Sequence, residues 1–345
     1  MNRSGYVETA YSQENLRYQP AYRPRSGLTR LTGRRLPWGS TQQVVPDIFM
    51  SPEPAALRHV EEFKNEKAEK IGRGTYERAL MEDIDFHDRC DHEHYRHALM
   101  APRSRFWLLL NALGKFGFLF IFIVIGFIAS LTIGLVERGG FVKNFFYTYY
   151  ICFQMFGMPS LCAWWISSLV IYKLPRLWAK PGRGPKWELN RRTGMITLFQ
   201  YRRKQVIEKR APFHEFDAFI NTTPDRQGLP MNVLSLEHRY SDIRIFFGDL
   251  QPPDRNTQQL CALWDFIQNY MNVSHPLPDA PLFEEHRKND PTTAEHDRQT
   301  GRNPRYWIDM DDATFREEQR KMRARVDRID TFSRPNLMAQ YVNYS

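Results

Sequence analysis

Histidine and cysteine residues concentrate in one short stretch of the chain, HDRCDHEHYRH, which has the side chains to bind a metal ion. Its candidate ligands are His87, Cys90, His92, His94 and His97. Imidazole nitrogens and a thiolate are the usual zinc ligands, and four of them can close a tetrahedral site. However, the spacing mixes the periods of a strand and a helix, and acidic residues lie between the histidines. The stretch therefore predicts either a metal site or a polar surface helix, and we expect no other cofactor.

A second group of residues is basic and has the charge to bind an anionic partner. Its members are Arg191, Arg192, Arg202, Arg203, Lys204, Lys209 and Arg210. Each basic residue near an anionic bilayer surface contributes about 1 kcal/mol of attraction. The group predicts either a surface for lipid or a protein partner, or an ordinary solvated face of a sheet. The net charge of +9 would also suit nucleic acid, but no recognised binding motif accompanies it, so we expect no nucleic-acid partner.

The sequence offers little support for catalysis. The glycine-rich stretch IGRGT is not followed by the lysine and hydroxyl residue that a phosphate loop needs. Neighbouring His214 and Glu215, like Glu237 and His238, would point to opposite faces of a strand. Neither the serine nucleophile motif G-x-S-x-G nor the zinc motif H-E-x-x-H occurs. We therefore expect that the protein is not an enzyme, and we predict no catalytic residues.

Two long uncharged runs, at 116–136 and 145–172, lie between these two groups of residues. A helix of about 20 residues crosses a hydrocarbon core of ~30 Å, so each run predicts a transmembrane helix. The predicted helices span 106–136 and 145–174, and the loop ERGGFVKN at 137–144 is predicted to be periplasmic. Pro159 falls inside the second run, where a bilayer tolerates the kink that proline causes.

The basic residues outside the two runs predict the orientation of this hairpin. They cluster before the first run and after the second, whereas the loop contains Arg138 and Lys143. Under the positive-inside rule, both termini then face the cytoplasm. Within the first run, Gly126, Ser130 and Gly134 recur every four residues, a spacing that lets helix backbones approach closely. This spacing predicts packing against the second helix of the same hairpin or, alternatively, a homo-oligomer.

The chain after the hairpin predicts an α+β cytoplasmic domain at 186–273. Apolar alternation or short apolar runs indicate strands in WELNRRTGMITLF, PFHEFDAFI, NVLSLEHR and DIRIFFGD. Helical spacing is found in TQQLCALWDFIQNYMN, whose apolar face includes Leu263, Trp264 and Ile267. We therefore expect an antiparallel sheet capped by a C-terminal helix. This architecture resembles the bacterial pleckstrin-homology-like domains.

The flanking segments are polar and predict less packed structure. Residues 1–105 predict a cytoplasmic arm that is partly disordered, with a charged helix near 54–71. Residues 274–345 predict a polar tail with a charged helix near 313–330, whose acidic residues come first and basic residues last. The cysteines are widely scattered and predict no disulfide framework, so the soluble parts are expected in a reducing compartment.

The order of a cytoplasmic arm, a hairpin and then WELNRRTGMITLF, PFHEF, LSLEHR and WDFIQNYM resembles a family of uncharacterised proteobacterial inner-membrane proteins. The likeness covers roughly residues 105–278, and genes of that family are often found near type VI secretion effectors. The resemblance implies an inner-membrane protein that binds another protein, as an immunity or accessory protein for a secreted antibacterial toxin. The alternatives are lipid binding and an oligomeric transport or channel component. Neither run carries the interior charge that is typical of an ion or substrate route.

Overall fold

The computed structural model describes residues 5–20, 33–78, 82, 86–203 and 205–344. Its contacts divide the chain into two compact units. The helix unit comprises Glu77–His87 and Ala98–Gly184, and the sheet unit comprises Met1–Tyr76, Asp88–His97 and Pro185–Ser345. Residues 1–4 and 21–32, which belong to the arm predicted as partly disordered, lie outside the described residues.

The secondary structure is spread over both units. The helices are α1 Pro54–Gly72, α2 Pro102–Val136, α3 Phe141–Lys173, α4 Pro175–Trp178, α5 Gln258–Met271, α6 Pro291–Thr300 and α7 Asp312–Asp327. Short 3-10 turns occur at Gln13–Asn15, Asp47–Phe49, Phe213–Glu215, Pro281–Phe283, Arg287–Asn289 and Leu337–Gln340. The strands are β1 Gly33–Arg35, β2 Arg89–Cys90, β3 His94–Ala98, β4 Pro185–Asn190, β5 Met195–Arg202, β6 Gln205–Pro212, β7 Phe216–Pro224, β8 Pro230–His238 and β9 Arg244–Phe246.

In the described part of the chain, these strands form two antiparallel sheets. One has four strands in the order β1-β7-β8-β9, and the other has five strands in the order β2-β3-β4-β5-β6. Between β4 and β5, Leu189 pairs with Ile196 and Trp187 with Leu198. Because paired residues share one face of a sheet, this register buries Trp187, Leu189 and Ile196 together. The predicted α+β class with antiparallel strands is confirmed.

The helices α2 and α3 are each long and apolar enough, by length and composition, to cross a membrane. Many of their apolar side chains are exposed; for example, Leu135 is 71% exposed and Trp165 is 67% exposed. Soluble monomers seldom expose large continuous apolar surfaces, so this exposure is more typical of helices that lie in a membrane. In α3, residues Phe153–Gly157 are wound as a π-helix directly before Pro159. The carbonyl group four residues before Pro159 lies in this wider segment, whereas a regular α-helix would bring that carbonyl into a clash with the proline ring.

The small residues of α2 pack inside the hairpin. Gly126, Ser130 and Gly134 are all buried. A Cβ atom added at Gly126 would lie 3.5 Å from Cys152 of α3, and one added at Gly134 would lie 3.1 Å from the Phe141 ring. This face is therefore already occupied by α3. A homo-oligomer formed through the same three residues would have to displace that helix.

Helix α5 lies inside the sheet unit. Every residue from Leu260 to Met271 is buried, including Trp264. The Trp264 indole donates a hydrogen bond to the Pro37 carbonyl at 2.8 Å, and its ring meets Trp38 edge-on with the centroids 4.8 Å apart. The helix therefore packs against residues of the N-terminal arm, which lie outside the predicted 186–273 domain.

Both flanking segments supply core residues of the sheet unit. The prediction of a partly disordered arm and a polar tail does not anticipate this role. Buried side chains of these segments include Leu36, Val45, Phe49, Phe283, Trp307, Phe315 and Met338. The physical reason lies in α5, which buries polar as well as apolar positions. Its Asp265 accepts hydrogen bonds from the Gln42 backbone N–H at 3.0 Å and from Arg334 at 2.8 Å. Because a buried carboxylate needs such partners, segments that are distant in sequence are held against the helix.

Candidate partner-binding surface

Strands β4, β5 and β6 form a meander, and its two turns hold most of the basic residues that the sequence singles out. The β4–β5 turn begins with Arg191 and Arg192, and Gly194 completes it with a φ of 68°. Glycine adopts this left-handed conformation without steric cost. Arg202 ends strand β5, and Arg203 follows it in the β5–β6 turn. The two turns have similar charge and different surroundings.

Arg191 is fully buried, where it forms an ion pair with Asp290. Its Nε donates to Asp290 Oδ1 at 2.9 Å, and its Nη2 donates to Oδ2 at 3.2 Å. Its Nη groups also donate to backbone carbonyls at and beyond the end of α5, those of Asn269, Tyr270, Asn272 and His275. The last carbonyls of a helix lack intrahelical partners and carry the negative end of its dipole, so a buried guanidinium satisfies both. Arg191 does not reach solvent, and the lipid- or partner-binding role predicted for it is replaced by a structural one.

Asp290 completes this arrangement, which we name the buried corner (Arg191 and Asp290). Its Oδ2 accepts the Thr293 backbone N–H at 3.0 Å, as the N-cap of α6, and the Tyr6 hydroxyl donates to Oδ1 at 2.6 Å. Burial acts to raise the pKa of Asp290, but the charge of Arg191 and the hydrogen bonds prevail, so its pKa is lowered. The corner joins the β4–β5 turn, the end of α5, the start of α6 and the N-terminal segment.

Three other predicted basic residues have acidic partners in the sheet unit. The pairs are Arg192 with Glu93 at 3.2 Å, Lys209 with Asp242 at 2.6 Å and Arg210 with Glu208 at 2.5 Å. Surface pairs of this kind contribute about 0–1 kcal/mol to stability. Their charges are partly neutralised within the chain, so they attract an external anion less strongly than unpaired arginines do.

The arginines that the structure describes at the β5–β6 turn are exposed to solvent and are not paired like those above. Arg202 and Arg203 are exposed, and among the described residues neither has an ion-pair partner. Lys204, the next predicted residue, lies outside the described residues. Val206 and Ile207 at the start of β6 are 52% and 36% exposed. We name Arg202, Arg203, Val206 and Ile207 the hairpin tip.

The two apolar residues of the hairpin tip, Val206 and Ile207, are not among the binding residues predicted from the sequence. The signal that could have found them is the run RRKQVI, in which an apolar pair follows directly on the basic residues. In addition, the register pairs Val206 with Tyr201 and Gln200 with Ile207, so the two apolar side chains lie on opposite faces of the hairpin. Both faces of the tip therefore present an apolar group beside the arginines.

The histidine-rich stretch forms a β-hairpin and not the polar surface helix that was one of its two predicted structures. Strands β2 and β3 pair antiparallel, with Cys90 opposite Tyr95. The Tyr95 ring is buried against Trp187 of β4, with the centroids 5.2 Å apart. The alternation of Tyr95 and His97 toward the core matches the period of a strand, and strand pairing with β4 decides between the two periods in the sequence.

This hairpin disperses the predicted metal ligands. His94 Nδ1 lies 3.3 Å from the Asn190 side chain, His97 Nδ1 lies 3.2 Å from Asp88 Oδ1, and the His92 ring stacks on His286. Desolvation strongly raises the pKa of the Cys90 thiol, and the nearby Asp91 charge adds to this, which disfavours the thiolate that a metal requires. His87 belongs to the helix unit. Among the described residues, no group of three or more histidine, cysteine or acidic side chains is arranged to hold a metal ion.

One histidine–carboxylate pair has the short contact that acid–base catalysis uses. His238 Nε2 and Glu215 Oε2 lie 2.8 Å apart. The contact joins one residue of the pair His214–Glu215 to one residue of the pair Glu237–His238. However, His238 Nδ1 accepts the Tyr240 backbone N–H at 3.2 Å, so both ring nitrogens are engaged. The hydrogen bond from His238 lowers the pKa of Glu215 despite partial burial. A fully engaged imidazole has no nitrogen left for a substrate proton, and the pair holds the start of β7 against the end of β8.

Comparisons of this chain with protein-family models, with curated proteins and with solved structures find no match. Over the residues that the structure describes, the fold is that of an α+β protein with two antiparallel sheets and two apolar helices that are long enough to cross a bilayer.

Proposed function

We propose that the protein is a bacterial inner-membrane protein whose sheet unit is a membrane-anchored module for binding another protein. The observation that carries the proposal is the exposed apolar surface of α2 and α3. Moving one large apolar side chain from water into an apolar medium contributes about 1.5–3 kcal/mol. Many such side chains are exposed on the two helices, so a bilayer is a far more favourable environment for them than water.

The proposed topology has both termini in the cytoplasm, because basic residues flank the hairpin on its outer sides. A membrane-impermeant thiol reagent on intact cells tests it. Arg138, in the α2–α3 loop, is exposed and suits a cysteine better than Gly139 or Gly140, whose φ angles of 146° and 98° disfavour any side chain. We expect labelling of Arg138→Cys and none of Arg298→Cys on α6. Labelling of Arg298→Cys and not of Arg138→Cys would indicate the opposite topology.

For the sheet unit, we propose a pleckstrin-homology-like module with a recognition role. The support is the order of three strands β4–β6 in one sheet, three strands β7–β9 in the other, and then α5. The remaining strands extend the two sheets at their edges. Recognition is the more fitting role because the close titratable pairs, Arg191 with Asp290 and Glu215 with His238, are engaged in bonds that hold the unit together.

The proposed partner is a type VI secretion toxin, against which the protein acts as an immunity or accessory protein. The support is the sequence resemblance of residues 105–278 to inner-membrane proteins that are encoded near such effectors. In addition, anchoring confines the sheet unit to the membrane, where its effective concentration toward a membrane-acting toxin is high.

Deletion of the gene, followed by competition, tests this role. The deletion strain is challenged with a wild-type sibling and with a secretion-deficient sibling, and we expect poorer survival against the wild type. Re-expression of the intact gene is expected to restore survival. Equal survival against both siblings, with the effector expressed, contradicts the immunity role and leaves an accessory role in effector loading, which a secretion assay then tests.

A further inference from the structure

We propose that the hairpin tip (Arg202, Arg203, Val206 and Ile207) docks on the bilayer surface and binds the phosphate groups of anionic lipids. This inference rests on the proposed anchoring of the chain in a membrane, and it assigns a ligand to a surface of the sheet unit. It follows from charge, from exposed apolar area and from the length of the connection to α3.

The charge of the tip is available to an external ligand. Within the described residues, Arg202 and Arg203 have no acidic partner, in contrast to Arg191, Arg192 and Arg210. An unpaired guanidinium presents a planar set of N–H donors that matches two phosphate oxygens at once.

The apolar residues favour a bilayer over a free phosphate ligand. Val206 and Ile207 are exposed although they are β-branched residues of a kind that is usually buried. Elements that lie at a bilayer interface combine basic side chains with apolar ones, so that the arginines meet the headgroups while the apolar groups enter the boundary of the acyl chains. The tip has this combination on a single turn.

The connection to α3 keeps the sheet unit near the membrane. Helix α3 ends at Lys173 and β4 begins at Pro185, so residues 174–184 form the connection. At 3.3–3.6 Å per residue, this connection reaches at most about 40 Å even when fully extended. A weak contact of two arginines with lipid therefore acts within one molecule and at a high effective concentration.

A peptide added as a further strand is the competing occupant, because β6 is an edge strand of its sheet. However, most of β6 carries features that protect an edge: the charged residues Glu208, Lys209 and Arg210, followed by Pro212. The unprotected part is limited to the tip itself, which is too short to pair with a strand of usual length. The observations therefore favour lipid.

Hydrogen exchange of the full chain in nanodiscs tests the proposal. One set of nanodiscs contains phosphatidylglycerol and phosphatidylcholine, and the other contains phosphatidylcholine alone. We expect slower exchange of the backbone amides of 199–208 in the anionic nanodiscs, and weaker protection at high salt, where charges are screened. Replacing both arginines, R202Q/R203Q, is expected to shift the docking equilibrium on the order of thirtyfold toward the undocked state, which is about 1 kcal/mol for each arginine.

The matched control is R316Q/R320Q on α7, which removes two exposed arginines elsewhere in the sheet unit. We expect it to leave the protection of 199–208 unchanged. Equal exchange in both lipids overturns the lipid contact while the anchoring stands, whereas failure of the chain to enter nanodiscs overturns the anchoring on which the contact depends. Protection that occurs only in native membrane vesicles, with none in nanodiscs of purified lipid, also overturns the proposal and identifies the tip as a protein contact. A wild-type fluorescence spectrum of the buried tryptophans checks that each variant is folded.

Discussion

The two turns of the β4–β5–β6 meander carry the same kind of residue and use it in opposite ways. At the first turn, Arg191 is buried with Asp290 and with the carbonyls at the end of α5. At the second turn, Arg202 and Arg203 are exposed, with no ion-pair partner among the described residues. The surroundings of an arginine, and not its presence in a basic cluster, therefore decide whether it stabilises the fold or can bind a partner.

The difference has a geometric cause. The β4–β5 turn meets the C-terminal end of a buried helix, whose last carbonyls require donors that water cannot supply there. The β5–β6 turn closes at an edge strand, whose first residues are mostly exposed. Arg191 at the first turn is therefore held by the fold, whereas Arg202 and Arg203 at the second turn contact solvent or a ligand.

The largest expected effect concerns the buried corner. We expect Arg191→Met to lower the free energy of unfolding by about 3–5 kcal/mol, because it leaves Asp290 buried without its counter-ion. Chemical unfolding of the full chain in nanodiscs, followed by fluorescence of the buried residues Trp187 and Trp264, measures the change. The matched control is Arg192→Met in the same turn, for which at most about 1 kcal/mol is expected. Equal losses in the two variants would remove the distinction between buried and exposed arginines.

A second effect concerns pH and compares the buried corner with Asp265, another buried acid. Burial raises the pKa of Asp265 from 3.8 to about 6, although the Gln42 N–H and Arg334 oppose the shift. Between pH 3.8 and about pH 6, the folded state binds the Asp265 proton more tightly than the unfolded state does. The contribution of Asp265 to the free energy of unfolding therefore decreases as the pH rises through this range, by about 3 kcal/mol. Asp290 has the opposite sign: its pKa is lowered, so its contribution is present above pH 3.8 and is lost as the pH falls further.

The free energy of unfolding, measured from acidic to neutral pH, separates the two carboxylates. In Asp265→Asn, the decrease between about pH 4 and pH 6 is expected to disappear, because the titrating group has been removed. In Asp290→Asn, the loss on the acidic side is expected to become smaller. Parallel profiles for the wild type and Asp265→Asn would contradict the raised pKa.

A smaller effect is expected at the partly exposed pair between β6 and the β8–β9 segment. Lys209→Gln breaks the contact with Asp242 and is expected to change the free energy of unfolding by less than about 1 kcal/mol. The difference should shrink further in high salt, which screens charges near the surface. Unfolding curves at low and high ionic strength measure both quantities, and a loss of several kcal/mol would assign this lysine to the core instead.

The smallest effect on stability is expected at the hairpin tip. In zwitterionic nanodiscs, R202Q/R203Q should unfold within about 0.5 kcal/mol of the wild type, since substitutions of exposed residues away from special contacts have little effect. The same variant is expected to lose lipid-dependent protection. A large destabilisation in the absence of anionic lipid would mean that the two arginines hold the fold, as Arg191 does.

Much of the secondary structure could be predicted from local pattern. Strands whose formation depends on a pairing partner could not. The helix predicted near 54–71 and α1 at Pro54–Gly72 nearly coincide, and the stretch from Trp187 to Phe199 contains the turn and most of both β4 and β5. Strand β6 was not predicted, because QVIEKRAP has neither clear alternation nor a continuous apolar run. It exists because β5 supplies the pairing partner through the whole register from Met195 to Arg202.

Local composition was sufficient to predict the two apolar helices, because their character depends only on the residues within each run and on the thickness of a bilayer. It was also sufficient for Trp264, which has helical spacing with its apolar neighbours. It could not separate Arg191 from Arg202, because the partner of Arg191 lies near residue 290 and the carbonyls that it binds lie near residue 270. Contacts between segments far apart in the chain decide which charge is buried, since the free energy of burying a charge depends on every group that surrounds it.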